Sequence, residues 1–144
     1  MDFTIIEGQQ GPHPVFSNDR IADFLFKHLD EYGDPREDIM ACLNFVFNGG
    51  GGFIAVGHSQ ENQIMGAVVI NRTGMSGYIP ENILVYIAVD ASFRGQGLGK
   101  SLMERALAET SGGVALHVEP DNPARHLYER LGFTSKYLEM RYAP

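Results

Sequence analysis

Three glycines and two basic side chains share the short stretch FRGQGLGKS at residues 93–101. These five residues are Arg94, Gly95, Gly97, Gly99 and Lys100. Glycines at this spacing let successive backbone N–H groups point into one concavity, and the N-terminus of a following helix adds positive potential there. An apolar, β-branched run precedes the stretch and a helical pattern follows it. The spacing therefore predicts a phosphate-binding loop between a strand and a helix.

Two common phosphate-binding motifs fail to match this loop. The nucleoside-triphosphate loop G-x-x-x-x-G-K-[ST] requires a glycine at the position of Arg94. The dinucleotide fingerprint G-x-G-x-x-G requires a glycine at the position of Lys100, and no long series of βαβ units precedes it. A nucleotide-binding protein is therefore the weakest of the functional hypotheses.

A second candidate for chemistry lies in the stretch DNPARHLYERLGF, residues 121–133. Helical spacing gives this segment an apolar stripe made of Ala124, Leu127, Tyr128 and Leu131. The phenol of Tyr128, with an ordinary pKa of about 10, can donate a proton. The stripe alone would also bury Tyr128 as a packing residue. Asn122 precedes the helix, where it can serve as an N-cap.

The elements that must position these residues follow an α+β pattern. Apolar residues at helical spacing predict helices after residues 17–20, from residues 34–37, across 98–107 and across 122–131. Runs of β-branched residues predict strands at 4–10, 52–58, 63–73, 83–89 and 114–118, with one or two closing strands at 133–142. Asp34 is the predicted N-cap of the second helix, with Pro35 at N1. Antiparallel strands come first, and one βαβ unit, which requires a parallel strand pair, follows.

Length and composition limit the class of protein. The 144 residues suit one domain spanning 1–144, and the formal net charge of -7 argues against a nucleic-acid-binding surface. No apolar run approaches the roughly 18 residues that span a bilayer, and the N-terminus lacks a signal-peptide pattern. We therefore expect a cytoplasmic protein with no membrane partner. The single cysteine, Cys42, excludes an internal disulfide and a cysteine-built metal site.

The charge is unevenly distributed along the chain. Residues 1–90 carry four basic and twelve acidic side chains, whereas residues 91–144 carry seven and six. The part with the glycine loop can therefore tolerate an anion, and the other part would attract a cation. An acidic protein often has an uneven distribution of charge along its chain, and this accounts for the pattern equally well.

The motif R-x-x-G-x-G, after a buried strand and opening a helix, resembles the acetyl-CoA loop of the GCN5-related N-acetyltransferase (GNAT) superfamily. The strand YIAVD resembles the family's strand beside the pantetheine arm, and LYERLGF resembles its later L-Y-x-x-x-G-F segment. These motifs cover about residues 83–133. The resemblance implies a mixed central sheet with helices on both faces. It also implies a small N-acyltransferase that uses acetyl-CoA as co-substrate, without a metal.

The resemblance also implies roles for particular residues. The backbone of Ile87, Ala88 and Val89 would pair with pantetheine like an added strand, and the N–H of Ile87 would polarise the thioester carbonyl. The pyrophosphate would be held by Arg94, Gly95, Gln96, Gly97, Leu98, Gly99 and Lys100. Asn122 would contact the cofactor arm, unless it serves only as a helix cap. Tyr128 would be the general acid for the leaving thiolate, whose thiol has an ordinary pKa of about 8.5.

The general base is the least defined part of the predicted site. Some family members use a glutamate on the strand before the loop, but this chain has Ile83 near that position. His117 lies near the place where others carry a glutamate on the strand after the crossover helix. Its imidazole, with an ordinary pKa of about 6.5, makes it our candidate base. The open alternatives are Glu119, Glu81, Tyr86 and proton transfer through water.

The acceptor in this family enters beside the first two helices and the loop between the third and fourth strands, here residues 18–48 and 72–82. Their acidic and tyrosine residues include Asp30, Glu31, Tyr32, Asp34, Glu37, Asp38, Tyr78 and Glu81. Such groups suit a cationic amine, whether of a small molecule, a peptide or a protein, and they also suit a solvated helix surface. We expect a monomer or a homodimer. The competing hypothesis is a CoA-binding module without turnover, which the absent strand glutamate favours and the intact Tyr128 disfavours.

Overall fold

A mixed five-stranded sheet, with strands in the order β1-β2-β3-β4-β5, forms the centre of the protein. The structure is a computed structural model that describes all 144 residues. The strands are β1 (Asp2–Glu7), β2 (Gly52–His58), β3 (Ile64–Arg72), β4 (Asn82–Val89) and β5 (Val114–Leu116). The helices are α1 (Asn18–His28), α2 (Arg36–Phe47), α3 (Leu98–Glu109) and α4 (Ala124–Arg130). β1 to β4 pair antiparallel, and β4 pairs parallel with β5.

The sheet separates two hydrophobic clusters, one on each face. α1 and α2 contribute Ile21, Leu25, Ile39 and Leu43 to one cluster, together with Ile54 of β2. α3 and α4 contribute Leu102, Met103, Ala106 and Tyr128 to the other, which we call the α3 cluster, together with Phe53 of β2. Neighbouring residues of β2 therefore belong to opposite clusters, as the two-residue period of a strand requires. This arrangement confirms the predicted α+β class, with helices on both faces of a mixed sheet.

An extra residue in β4 changes the face of the sheet on which the following side chains of that strand lie. Val69 of β3 pairs with Tyr86, but the next residue, Ile70, pairs with Leu84, so Val85 has no partner. Leu84 belongs to the α3 cluster, whereas Val85 and Tyr86 both pack on the α1 and α2 side. This is a β-bulge, which bends the bulged strand and increases its twist.

The pairing between β4 and β5 ends at the same place. It runs from Asn82↔Val114 to Leu84↔Leu116 and stops one residue before the bulge. Beyond Leu84, the edge of β4 that faces away from β3 has no strand beside it. A cleft therefore opens between β4 and the chain that continues after β5.

Three features differ from the sequence-based expectations. α2 begins at Arg36, with Pro35 rather than Asp34 at the N-cap, because the Asp34 carboxylate is used in a contact with β4 instead. β5 stops at Leu116, so His117 lies beyond the strand. The closing strands predicted at 133–142 are wrong for this structure, where the segment forms neither strand nor helix. No helix of the chain combines the length and apolar character needed to cross a membrane.

Candidate functional site

The glycine loop forms an open concavity of about 180 Å³ between the end of β4 and the start of α3. Its lining residues are Val89, Phe93, Arg94, Gly95, Gly97, Leu98 and Gly99. Gly97, the N-cap of α3, has φ 77°, and Gly95 has φ 82°. These left-handed angles explain why the loop uses glycine, since side chains with a Cβ rarely adopt them. A Cβ at either position would meet no atom within 4 Å, so the two glycines also leave the concavity open to a ligand.

Six consecutive backbone N–H groups in this loop, those of residues 95–100, have no backbone acceptor. The first hydrogen bond within α3 is donated by Ser101 to the carbonyl of Gly97, at 3.2 Å. The N–H groups of Leu98, Gly99 and Lys100 therefore have no partner within the helix, as expected for a first turn. Lys100 is exposed and makes no ion pair within the chain. An anion with several oxygen acceptors fits this arrangement.

The guanidinium of Arg94 is held by the protein itself. Its Nη2 donates to the carbonyl of His28 at 2.6 Å, its Nε donates to the carbonyl of Val89 at 3.2 Å, and its Nη1 contacts the carboxylate of Asp30 at 3.1 Å. His28 and Asp30 lie at the C-terminal end of α1. Arg94 therefore ties the glycine loop to α1 while its side chain lines one wall of the concavity.

A second contact connects the same two regions. The N–H of Ala91 donates to Nδ1 of His28 at 3.2 Å, and Nε2 of His28 lies 3.5 Å from the Asp90 carboxylate. Because Nδ1 accepts a hydrogen bond, the ring proton of neutral His28 is on Nε2 and faces Asp90. Burial lowers the pKa of His28, although Asp90 acts in the opposite direction. The neutral ring thus fixes the turn that leads from β4 into the loop.

The free edge of β4 lies next to this loop. The N–H of Asp90 donates to Met65 of β3, at 2.8 Å. Backbone groups alternate in direction along a strand. The N–H and carbonyl of Ala88 therefore point toward β3, whereas those of Ile87 and Val89 point toward the cleft. The Arg94 bond to the carbonyl of Val89 agrees with this direction. Ile87 therefore presents an N–H and a carbonyl to the cleft, where an extended ligand can pair with them.

Tyr128 lies on α4 with its ring packed in the α3 cluster. The side chain is 7% exposed, and its ring is 6.1 Å from that of Phe133 in an edge-to-face contact. Its hydroxyl makes no hydrogen bond within the protein, yet the oxygen is not one of the fully enclosed polar atoms. Burial raises the pKa of Tyr128 to about 12. The hydroxyl is thus a protonated donor without a partner.

Asn122 and His117 lie on the chain between β5 and α4. The side-chain oxygen of Asn122 accepts from the N–H of Ala124 at 2.9 Å, which is a capping contact at the start of α4. This bond uses one acceptor position of the amide and leaves its two N–H donors free. His117 is exposed and makes no hydrogen bond to another residue. Glu119, two residues further, is exposed as well.

The two remaining base candidates have structural partners. The Glu81 carboxylate accepts from the N–H of Gly113 at 2.9 Å, a contact that lowers the pKa of Glu81. Glu81 precedes β4 and therefore lies at the opposite end of that strand from the glycine loop. The hydroxyl of Tyr86 donates to the Asp34 carboxylate at 2.5 Å, and burial followed by this bond raises the pKa of Tyr86. Neither group is free to accept a proton in the cleft.

Carboxylates from two parts of the chain lie near Tyr32: Glu31 from the turn between α1 and α2, and Glu119 and Asp121 from the segment between β5 and α4. The hydroxyl of Tyr32, in the turn between these helices, donates to the carbonyl of Asp121 at 3.4 Å, across the cleft opening. Loss of hydration, and then the nearby carboxylates Asp121, Glu31 and Glu119, raise the pKa of Tyr32. The opening therefore has a negative potential that suits a cationic group.

Sequence reasoning missed the pairs that hold the site together. Asp34 was predicted as a helix cap, and its contact with Tyr86 joins positions 52 residues apart. Arg94 was predicted as a phosphate ligand, and its contacts with Asp30 and His28 join positions 64 and 66 residues apart. The helical spacing of His28 predicts only that its side chain is buried, and no pattern in the sequence indicates its hydrogen-bond partners.

Replacing Arg94 by Met should loosen the glycine loop, because the bonds to His28, Asp30 and Val89 are lost together. We expect amide hydrogen exchange at residues 91–94, whose N–H groups are hydrogen-bonded, to become about tenfold faster, with little change in β2 and β3. Hydrogen exchange followed by mass spectrometry measures this. Arg125→Met is the matched control, since Arg125 is paired only with Glu129 on α4. Equal exchange in the two variants would show that Arg94 does not hold the loop.

Comparison with known proteins agrees with this geometry. A family model described as an acetyltransferase (GNAT) domain matches residues 49–135. A 5-NmdU N-acetyltransferase of Pseudomonas phage PaMx11 is 44% identical over 103 residues, which cover 70% of this chain and 69% of the relative. A mycothiol acetyltransferase of Rhodococcus erythropolis is 34% identical over 103 residues, or 67% of this chain. The chain spans only 34% of that relative's length.

A solved structure shows the same fold over the whole chain. An aminoglycoside N-acetyltransferase in complex with CoA superimposes with a TM-score of 0.71 and 14% identity, covering 99% of this chain and 95% of the other. The parallel β4–β5 pair and the helices on both faces are therefore those of the acyl-CoA N-acyltransferase fold. Together with the match to residues 49–135, this places the chain in the GNAT acetyltransferase family.

Proposed function

We propose that this protein is an acetyl-CoA-dependent N-acetyltransferase that moves the acetyl group directly to an amine within a ternary complex. The observation that carries the proposal is the glycine loop, where the N–H groups of residues 95–100 are free beside the open edge of β4. Such a combination suits a ligand with an extended arm and a pyrophosphate. Coenzyme A has both.

The residues present fit that ligand along its length. The N–H groups from Gly95 to Lys100 would hold the pyrophosphate, with the ammonium of Lys100 nearby. Gln96 and Leu98 contribute through their backbone. Arg94 supports the wall of the site through its contacts with α1. The N–H and carbonyl of Ile87 and the N–H of Val89, on either side of Ala88, would pair with the amide groups of the pantetheine arm, while the Val89 carbonyl keeps its bond from Arg94.

Acetyl-CoA supplies the acetyl group as a thioester, and the protein must assist both bond formation and bond cleavage. The amine nitrogen bonds to the acetyl carbon, the carbon–sulfur bond breaks, and the amine loses a proton. The N–H of Ile87, facing the cleft, would donate to the carbonyl oxygen as negative charge develops there.

Tyr128 would act on the sulfur. Its pKa of about 12 exceeds that of an ordinary thiol, about 8.5, so complete proton transfer to the thiolate is uphill. A hydrogen bond from the hydroxyl to the developing thiolate is favourable, because bonds to a charged acceptor are stronger than neutral ones. We therefore assign Tyr128 to stabilisation of the leaving sulfur, with solvent able to supply the proton afterwards.

The base would be His117, acting directly or through water. It follows directly after β5, is exposed and makes no hydrogen bond to the protein. Glu81 and Tyr86 are less suitable because each is engaged by Gly113 or Asp34. Glu119 remains an alternative, as does an amine that arrives already neutral.

A covalent route through the only cysteine is disfavoured. The thiol of Cys42 lies in α2 and receives a hydrogen bond from the side-chain amide of Asn71, at 3.5 Å. Burial raises the pKa of Cys42 to about 11, which leaves very little thiolate at neutral pH. Direct transfer between two bound substrates needs no such nucleophile.

The acceptor is proposed to be a cationic amine. Glu31, Glu119 and Asp121 lie around the Tyr32 hydroxyl at the cleft opening, where they would attract such a group. The name of the phage relative places 5-NmdU first among acceptors to test, and aminoglycosides come second from the structural neighbour. A peptide or protein amine would suit the same charge.

Ligand-dependent stability is the first test of this function. Acetyl-CoA and CoA should each raise the thermal unfolding temperature, because a ligand at 100 times its Kd stabilises the native state by about 2.7 kcal/mol. ATP and NAD, measured in parallel, should not. Release of free thiol from acetyl-CoA in the presence of amines then measures transfer. Binding without thiol release for any amine would favour the CoA-binding module, and a shift with ATP or NAD alone would contradict the proposal.

Gly97→Glu should weaken acetyl-CoA binding by at least about tenfold, because it places a carboxylate in the anion site and strains a left-handed residue. Calorimetric titration measures the Kd. Gly74→Glu is the matched control, since Gly74 has φ 76°, compared with 77° for Gly97, and also has open space around its Cα. If both variants bind equally well, the loop is not the phosphate site.

Tyr128→Phe should lower kcat by about 10²–10³-fold, because one hydrogen-bond donor to developing charge is lost. The Kd for acetyl-CoA should change little, since the ring remains in the α3 cluster. For the unaltered enzyme, the raised pKa predicts no loss of kcat from Tyr128 ionisation up to about pH 10. Steady-state kinetics over pH, with calorimetry for binding, checks both statements. Unchanged kcat in the variant would remove Tyr128 from the mechanism.

A further inference from the structure

His28, the last residue of α1, contacts both ends of the short segment that leads from β4 into the glycine loop. Its Nδ1 accepts a hydrogen bond from the N–H of Ala91 at 3.2 Å, where the segment begins. Its carbonyl accepts from Nη2 of Arg94 at 2.6 Å, where the segment ends. One residue of α1 therefore fixes the segment 91–94 at two points.

The side-chain contact depends on the protonation state of the ring. A neutral imidazole has one nitrogen that accepts a hydrogen bond and one that donates, whereas both nitrogens of the charged ring donate. In charged His28, a proton on Nδ1 would face the N–H of Ala91, so two donors would meet at a separation that suits only a hydrogen bond. The segment would then have to move away from α1.

The surroundings of His28 favour the neutral ring. The side chain is only 8% exposed. Burial lowers the pKa of His28, and the Asp90 carboxylate raises it. The other nearby charges have smaller effects on this pKa, which Lys27 and Arg94 lower and Asp30 raises. Because burial is the largest of these effects, the ring is neutral in the structure described above and can accept from Ala91.

An open groove of about 320 Å³ connects this ring with solvent. The groove lies between α1 and the start of β3, and His28 and Asp90 are part of its wall. Its other charged lining residues, all on α1, are Arg20, Asp23 and Lys27. Arg20 and Asp23 already have partners of their own. Protons from solvent can therefore reach the ring through the groove, although His28 is buried.

A charge on His28 would add little attraction for a phosphate. The ring lies 3.5 Å from the Asp90 carboxylate, which would compensate a positive charge on it. His28 is also not among the residues that line the concavity of the glycine loop. The geometry of the segment 91–94, and not the charge of the ring, therefore decides how well an anion binds.

We propose that His28 is a positioning residue for the glycine loop, and that only its neutral ring holds the loop in the shape that binds the pyrophosphate of CoA. The residue acts through Ala91 and Arg94 and touches no substrate. The proposal rests on the binding of CoA proposed above. It follows that protonation of His28 and binding of CoA oppose each other, and this linkage is reciprocal.

Two variants of the same shape separate the hydrogen bond from the packing of the side chain. His28→Leu and His28→Asn both branch at Cγ, but only His28→Asn has an oxygen at the position from which Nδ1 accepts. In the unliganded protein, His28→Leu should make amide exchange at residues 91–94 about tenfold faster, and His28→Asn should stay within about threefold of the unaltered protein. Circular dichroism checks folding. Equal exchange in all three proteins, or no recovery in His28→Asn, would overturn the proposal.

Titration of the unaltered protein tests the linkage with the ligand. NMR of the ring signals gives the pKa of His28 with and without saturating CoA. The pKa should be lower with CoA bound, because the ligand selects the neutral ring, whereas a phosphate acting only through its charge would raise it. The ring of His13, whose Nδ1 also accepts backbone hydrogen bonds, is the reference in the same spectra. A higher or unchanged pKa of His28 would overturn the proposal.

The affinity for CoA provides the matching readout. At the pH where half of the His28 rings are charged, the Kd measured by calorimetry should be about twofold weaker than at neutral pH. The comparison is made relative to His28→Asn, in which the phosphates of CoA titrate alike but position 28 does not. An equal change in both proteins would overturn the proposal. Absence of CoA binding at every pH would instead contradict the proposed function, and the exchange rates of the unliganded variants would then decide the role of His28.

Discussion

The bulge at Val85 is the feature on which the site depends. One extra residue in β4 is enough to bend the strand after its third residue, and pairing with β5 ends at Leu84↔Leu116. If β5 had followed β4 to its end, the peptide groups of Ile87 and Val89 would be used in the sheet. The bulge leaves the N–H and carbonyl of Ile87 and the N–H of Val89 without a strand partner beside the glycine loop, where the Val89 carbonyl accepts a bond from Arg94. It also turns Tyr86 toward α1 and α2, where its hydroxyl meets Asp34.

The anion site and the acidic opening coexist because each is held by local contacts. Free N–H groups and the start of α3 make the loop favourable for a phosphate, even though the chain as a whole has a net charge of -7. Asp30 and Asp90 lie near that loop, but Arg94 and the Ser92 hydroxyl and N–H occupy their oxygens. The remaining carboxylates, at the Tyr32 side, face the opening through which a cation would enter. A protein with a net negative charge can thus present a positive potential at one end of a cleft and a negative potential at the other.

Much of the fold could be predicted because it rests on short-range patterns. The period of Ile21, Leu25 and His28 predicts the buried face of α1, and the β-branched runs at 52–58 and 83–89 predict β2 and β4 close to their observed bounds. The segment at 133–142 was wrongly predicted as part of the sheet. Its alternation is that of a strand, but a strand also needs a neighbour, and alternation does not specify one.

The sequence by itself determined the local chemistry of this protein. The glycines at 95 and 97 define a loop with left-handed residues, and the stripe on α4 buries the ring of Tyr128, because both depend on residues within one or two turns. Only the tertiary structure decided that Arg94 supports the loop through α1, that Asp34 engages Tyr86, and that the bulge falls at Val85. The Asp34 and Arg94 contacts join residues 52 to 66 positions apart, and their geometry follows from how the helices pack on the sheet rather than from any spacing along the chain.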